Sequence, residues 1–156
     1  MNKLVLIIFS FIIASCQANE SFIKELSPEF ETISFEVVQK QIIVEPILPD
    51  NVQKLINKWF DQRVKINGFD GEMKFTVTDF NQDISSISEG KRVDISLSYK
   101  IVLNKNSNSE TKFINGNVSS FGTLVGNFSI SDFETVIKNT QTDLVLRLSK
   151  NLKSKI

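Results

Sequence analysis

Few residues in this 156-residue chain are able to do chemistry: one cysteine, Cys16, no histidine, and a scatter of serine, lysine and aspartate. Without histidine there is no ordinary general base and no Cys/His zinc site, and a lone cysteine forbids an intramolecular disulfide. Ser119, Ser120 and Ser131 therefore lack the usual partner that activates a hydroxyl. Ser88 and Lys91 have the Ser-x-x-Lys spacing of a Ser/Lys dyad, but the chain is rich enough in both residues for such a coincidence to arise by chance. Asp79 and Asp83, with Asp94, come nearest to a carboxylate cluster for acid/base or divalent-metal work. No calcium loop or fixed ligand spacing accompanies them, and they read as solvated acids. Trp59 suits a core position better than a binding site. Arg147, Lys150 and Lys153 could meet lipid phosphates or simply complement a helix end. The expectation is a protein that is not an enzyme and that carries no metal and no cofactor.

The elements that must position these side chains are legible from their periodicity. Ile33, Phe35 and Val37 alternate with polar residues, and the apolar signal resumes at Ile42 to Val44, which predicts one strand bent or bulged near 39–41. A helix is expected from Asp50 as N-cap, with Val52, Leu55, Ile56, Trp59, Phe60 and Val64 at helical spacing and Asn67-Gly68 at its end. Met73, Phe75 and Val77 define a second strand, and Val93, Ile95, Leu97, Tyr99, Ile101 and Leu103 a third, with a loop expected over 81–90. A fourth strand over about 111–121 follows a hairpin at 104–109, with Gly116 leaving its register ambiguous. The last helix is expected to start at Ser131 with Glu134 completing a capping box, and to bury Phe133, Val136, Ile137, Leu144 and Leu148. The order β-α-β-β-β-α predicts a two-layer α+β domain: a largely antiparallel sheet of about four strands with two helices on one face. The other face is left polar and uncovered.

The N-terminus carries an address. Met1-Asn2-Lys3 precedes the apolar stretch from Leu4 to Ile13, which at 1.5 Å per residue reaches about 15 Å as a helix, half of a hydrocarbon core. Ile13-Ala14-Ser15-Cys16 follows at once. These four residues resemble the lipobox of bacterial lipoproteins, in which small residues enter the signal peptidase site and the cysteine takes up the lipid. The resemblance covers the first sixteen residues and implies a signal peptide over 1–15 and lipidation at Cys16; the mixed, polar stretch after it, with Pro28 and no sustained period, reads as a tether, which gives a lipidated N-terminus and tether over 16–31 and a single domain over 32–156. Two or three acyl chains, at about 0.8 kcal/mol per buried methylene, would give a stable membrane anchor. Gln17 and Ala18 stand where an Asp would favour the inner membrane, so the sorting pattern of such lipoproteins implies the periplasmic face of the outer membrane.

Two further likenesses bear on function. Trp59-x3-Arg63-x4-Gly68-x2-Gly71, followed by a strand ending at Asp79, is similar to a pattern in uncharacterised alphaproteobacterial lipoproteins. In layout alone the chain resembles the lipoprotein family that plugs the lipopolysaccharide-assembly barrel of the outer membrane. Eighteen basic residues balance eighteen acidic ones, so no positive field favours nucleic acid. The expected role is that of an accessory or adaptor subunit of an envelope complex, with the membrane and an envelope protein as partners. The alternative is a carrier of lipid, glycolipid or lipopolysaccharide. The expected contact is the polar sheet face bearing Lys74, Thr76, Thr78, Asp94, Ser96, Ser98 and Lys100.

Overall fold

The computed structural model describes residues 26–107 and 110–156. Its elements are β1 (Ile33–Phe35), β2 (Gln39–Val44), α1 (Asp50–Arg63), β3 (Val64–Ile66), β4 (Glu72–Ile87), β5 (Gly90–Lys105), β6 (Glu110–Val125) and α2 (Ile130–Lys153). Four strands form the main sheet in the order β2-β4-β5-β6, and β1 pairs with β3 in a small second sheet. The expected two-layer α+β arrangement is present, with both helices on one face of the main sheet. The strand expected over 33–44 is two strands, each parallel to its neighbour: β1 with β3 and β2 with β4. Alternation reveals which side of a strand is buried but not which way the neighbouring strand runs, so the parallel pairs left no trace in the sequence.

The core lies between the sheet and the helices. Trp59 of α1 is fully buried and meets the Phe75 ring of β4 edge-on at 5.7 Å, and Phe75 stacks on Tyr99 of β5 at the same centroid distance. From α2, Leu144, Val145, Leu148 and Leu152 are fully buried. Two glycines let these layers close: a Cβ at Gly116 would overlap the Tyr99 ring, and one at Gly122 would overlap Thr140 and Val136 of α2. Gly116 therefore belongs to the strand, lying directly opposite Tyr99 in the register.

Several boundaries differ from expectation for identifiable reasons. The stretch 81–90 is not a loop; β4 and β5 continue to a two-residue turn at Ser88-Glu89, and polar residues on both faces concealed the extension. Val64 is buried but opens β3 instead of closing α1. Pro49, without a side-chain bond, takes the N-cap position assigned to Asp50. The α1 C-terminus is held from outside, because Lys40 of β2 donates to the carbonyls of Phe60 at 2.8 Å and Val64 at 2.6 Å. Burial in this position lowers the Lys40 pKa. The α2 capping box is Ser129 with Asp132, two residues before the expected Ser131 and Glu134. Residues 26–31, expected in the tether, are packed: Leu26 and Phe30 are buried, and the Glu31 N–H donates to Ser149 Oγ at 2.9 Å.

Candidate functional site

The sheet face away from the helices is set by register. Thr76 lies opposite Lys100, Asp79 opposite Ser98, Asn81 opposite Ser96 and Asp83 opposite Asp94. On the β6 side, Val102 faces Phe113, Lys100 faces Asn115, Ser98 faces Asn117, Ser96 faces Ser119 and Asp94 faces Phe121. Lys74, Thr76, Asp94, Ser96, Ser98 and Lys100 thus share one face, as the alternation required. Two of the expected contact residues do not belong to its accessible surface in the expected way. Thr76 is buried, at 8% exposure, with Ile43 opposite it on β2 and Lys100 on β5. Thr78 is the extra residue of a β-bulge between Val77 and Asp79, so the face continues through Asp79 and Asn81.

The face is also less polar than alternation on β4 and β5 implied. Phe113 and Phe121 of β6 are each 60% exposed on it. Lys100 Nζ stands 5.1 Å from the Phe113 ring centroid, and the Arg92 guanidinium 4.5 Å from that of Phe121. These contacts place a cation over each ring. Their signal was available in the odd–even alternation of β6, which fixes Phe113 and Phe121 outward once Gly116 is paired with Tyr99. Arg92 also grips Asp94 through two bonds of 2.7 Å, and these hold the Asp94 carboxyl below the usual carboxylate range.

The other candidates resolve into structural roles. Asp83 and Asp94 are directly opposite, but both Asp94 oxygens are taken by Arg92. Among the described residues no group of three or more His, Cys, Asp or Glu side chains is placed to hold a metal ion. Lys91 Nζ donates to Ser86 Oγ at 2.8 Å, while Ser88 is exposed in the turn. Ser119 is exposed, and the Ser131 carbonyl accepts from Thr135. Ser120 is buried and donates to Asp143 at 2.6 Å, and Asp143 accepts from Arg147 at 2.6 Å. Burial alone would raise the Asp143 pKa, but the Ser120 hydroxyl and Arg147 outweigh it and hold the carboxyl low. Lys150 and Lys153 are exposed in the last turn of α2. Cys16 and the preceding Ile13, Ala14 and Ser15 lie outside the described residues.

The inner side of the sheet is filled by the chain itself: Phe75, Ile95, Leu97, Tyr99 and Ile101 are at most 2% exposed. No described helix is long and apolar enough to cross a membrane.

The fold is shared with the minor lipoprotein of Acinetobacter baumannii, at TM-score 0.52 and 7% identity, over 76% of this chain and 94% of that one. Weaker likenesses are to uncharacterized lipoprotein B of Nitrosomonas europaea (TM-score 0.38, 10% identity, 82% of this chain and 88% of that one) and a Xanthomonas campestris protein of the DUF330 family (TM-score 0.40, 10% identity, 83% and 94%). No protein-family model matches the chain. No curated protein matches its sequence. The architecture is one that a bacterial lipoprotein uses.

Proposed function

We propose that this chain is a lipoprotein anchored through Cys16 to the periplasmic face of the outer membrane, where it serves as a non-enzymatic accessory subunit of an envelope assembly or transport complex. The observation that carries the reading is the uncovered sheet face, on which Phe113 and Phe121 are exposed beneath Lys100 and Arg92. Exposed aromatics paired with cations within a polar surround have the composition of a protein-binding patch. The lipid-carrier alternative requires apolar space inside the fold, and the inner sheet face is occupied by the chain's own side chains.

The reading is tested by cross-linking in cells followed by mass spectrometry of co-purified proteins. Lys74→Glu with Lys100→Glu should reduce recovery of the envelope partner at least several-fold while leaving the melting temperature within about 2 °C, because both side chains are exposed. Cys16→Ser should release the protein from the membrane fraction. Unchanged partner recovery in the double variant, with stoichiometric binding of an acyl-chain probe to the purified chain, would replace docking with lipid carriage.

A further inference from the structure

β6 closes one side of the main sheet, and no described segment pairs with its outer edge. Its ladder to β5 fixes which backbone groups that edge offers. The Gly126 N–H donates to the Glu89 carbonyl at 2.8 Å, in line with the antiparallel register of the two strands. Even-numbered residues of β6 therefore exchange hydrogen bonds with β5, and odd-numbered ones turn their N–H and C=O groups outward. Asn115 agrees, since its carbonyl accepts from Lys155 Nζ at 2.5 Å. The odd-numbered residues also place Phe113, Asn117 and Phe121 on the uncovered face.

An edge of this length is normally protected by charge, proline or a bulge. The half of β4 that extends beyond β2 has such protection: the bulge at Thr78, then exposed Asp79 and Asp83. β6 has none of its own from Phe113 to Val125, where there is no charged residue, no proline and no break in its register; the cation that reaches this edge, Lys155, comes from beyond the end of α2 and holds the Asn115 carbonyl alone. The stretch is also self-complementary, because Phe113 and Phe121 are equally distant from Asn117.

We propose that β6 pairs antiparallel with β6 of a second copy of this chain about a two-fold axis through Asn117. In that register Asn117 meets Asn117, Asn115 meets Ser119, and Phe113 of one copy meets Phe121 of the other on both sides of the axis. Every such pair joins two odd-numbered residues, so both hydrogen bonds can form at each once Lys155 Nζ has left the Asn115 carbonyl; a slip of one residue sets odd against even and loses them. Lys112 falls opposite Gly122, so no like charges face each other. A foreign strand would satisfy the same edge but would not account for aromatic residues placed symmetrically about one position. The product is a continuous eight-stranded sheet, with the uncovered faces of both copies on one side.

The full-length chain, extracted in a nonionic detergent, should sediment as a dimer in the micromolar range. Asn117→Lys sets two ammonium groups against each other at the axis and should weaken the dimer at least tenfold; at concentrations where both proteins are monomeric its melting curve should match that of wild type apart from the loss of the exposed Asn117–Ser98 bond of 3.0 Å. Under mild oxidation Asn117→Cys should form a covalent dimer above the wild-type baseline, which reports any Cys16 left without lipid. Thr123→Cys alone should not, whereas Thr123→Cys mixed with Thr111→Cys should. A wild type that stays monomeric throughout this range overturns the pairing, as does a different protein captured by Asn117→Cys in place of the second copy. Equal cross-linking by Thr123→Cys alone overturns the register. Lys74→Glu with Lys100→Glu should remain dimeric, so loss of docking and loss of dimerisation are read separately.

Discussion

Tyr99 joins three parts of the molecule: its ring lies against Gly116 and Phe75, and its hydroxyl donates to Asn151 of α2 at 2.8 Å. Burial pushes its pKa up to about 12. The unfolded chain loses this proton near pH 10 and the folded one near 12, so stability contributed below pH 10 falls as the pH rises between those values. At about 1.4 kcal/mol per unit the loss totals roughly 2–3 kcal/mol. Tyr99→Phe should forfeit the Asn151 bond at neutral pH, about 1 kcal/mol. It should then show a shallower decline from pH 10 to 12 than wild type in urea midpoints. Trp59 and Tyr99 were recognisable as core residues because each sits in a long, unbroken apolar period. Phe113 and Phe121 were not, since their strand places glycine inward twice and its inner face could not be told from its outer one without Tyr99 as the opposing residue.

The helix start of α2 shows how two equally good local patterns are separated only by tertiary context. Ser129-x-x-Asp132 and Ser131-x-x-Glu134 both fit a capping box, and the structure uses the first, with Asp132 returning a bond to the Ser129 N–H at 2.9 Å. The earlier start brings Phe133 against Phe128, their ring centroids 6.4 Å apart. Ser129→Ala should cost about 1 kcal/mol in thermal or urea unfolding. Ser131→Ala should change stability by less than about 0.5 kcal/mol, since its exposed side chain is not the cap. Strand identities were legible for β4 and β5 from alternation and for β6 from the hairpin before it, but strand lengths were not. The outer end of β4 is exposed on both faces at Asp83, Ile84, Ser86 and Ile87, which removes the hydrophobic period that would have revealed it.

At the scale of the whole molecule, the order of major elements and the one-sided sheet followed from the sequence, while the parallel entry of β1 and β2 and the docking of 26–31 did not. The latter carries only two apolar anchors, too few to form a period. Phe30 is 3% exposed, so Phe30→Ala should cost about 3–5 kcal/mol. A residue in a free tether would cost nothing, and the urea midpoint separates the two.

The same docking gives the molecule a front and a back. The described chain begins where the Leu26 carbonyl accepts from Arg63 of α1 and the Glu31 N–H meets Ser149 of α2, both in the helical layer. With a lipid on Cys16, only residues 17–25 span the gap to the bilayer, at most about 30 Å when fully extended. Under the proposed anchoring, the chain would enter the domain on its helical side, opposite the face bearing Lys100 and Phe113.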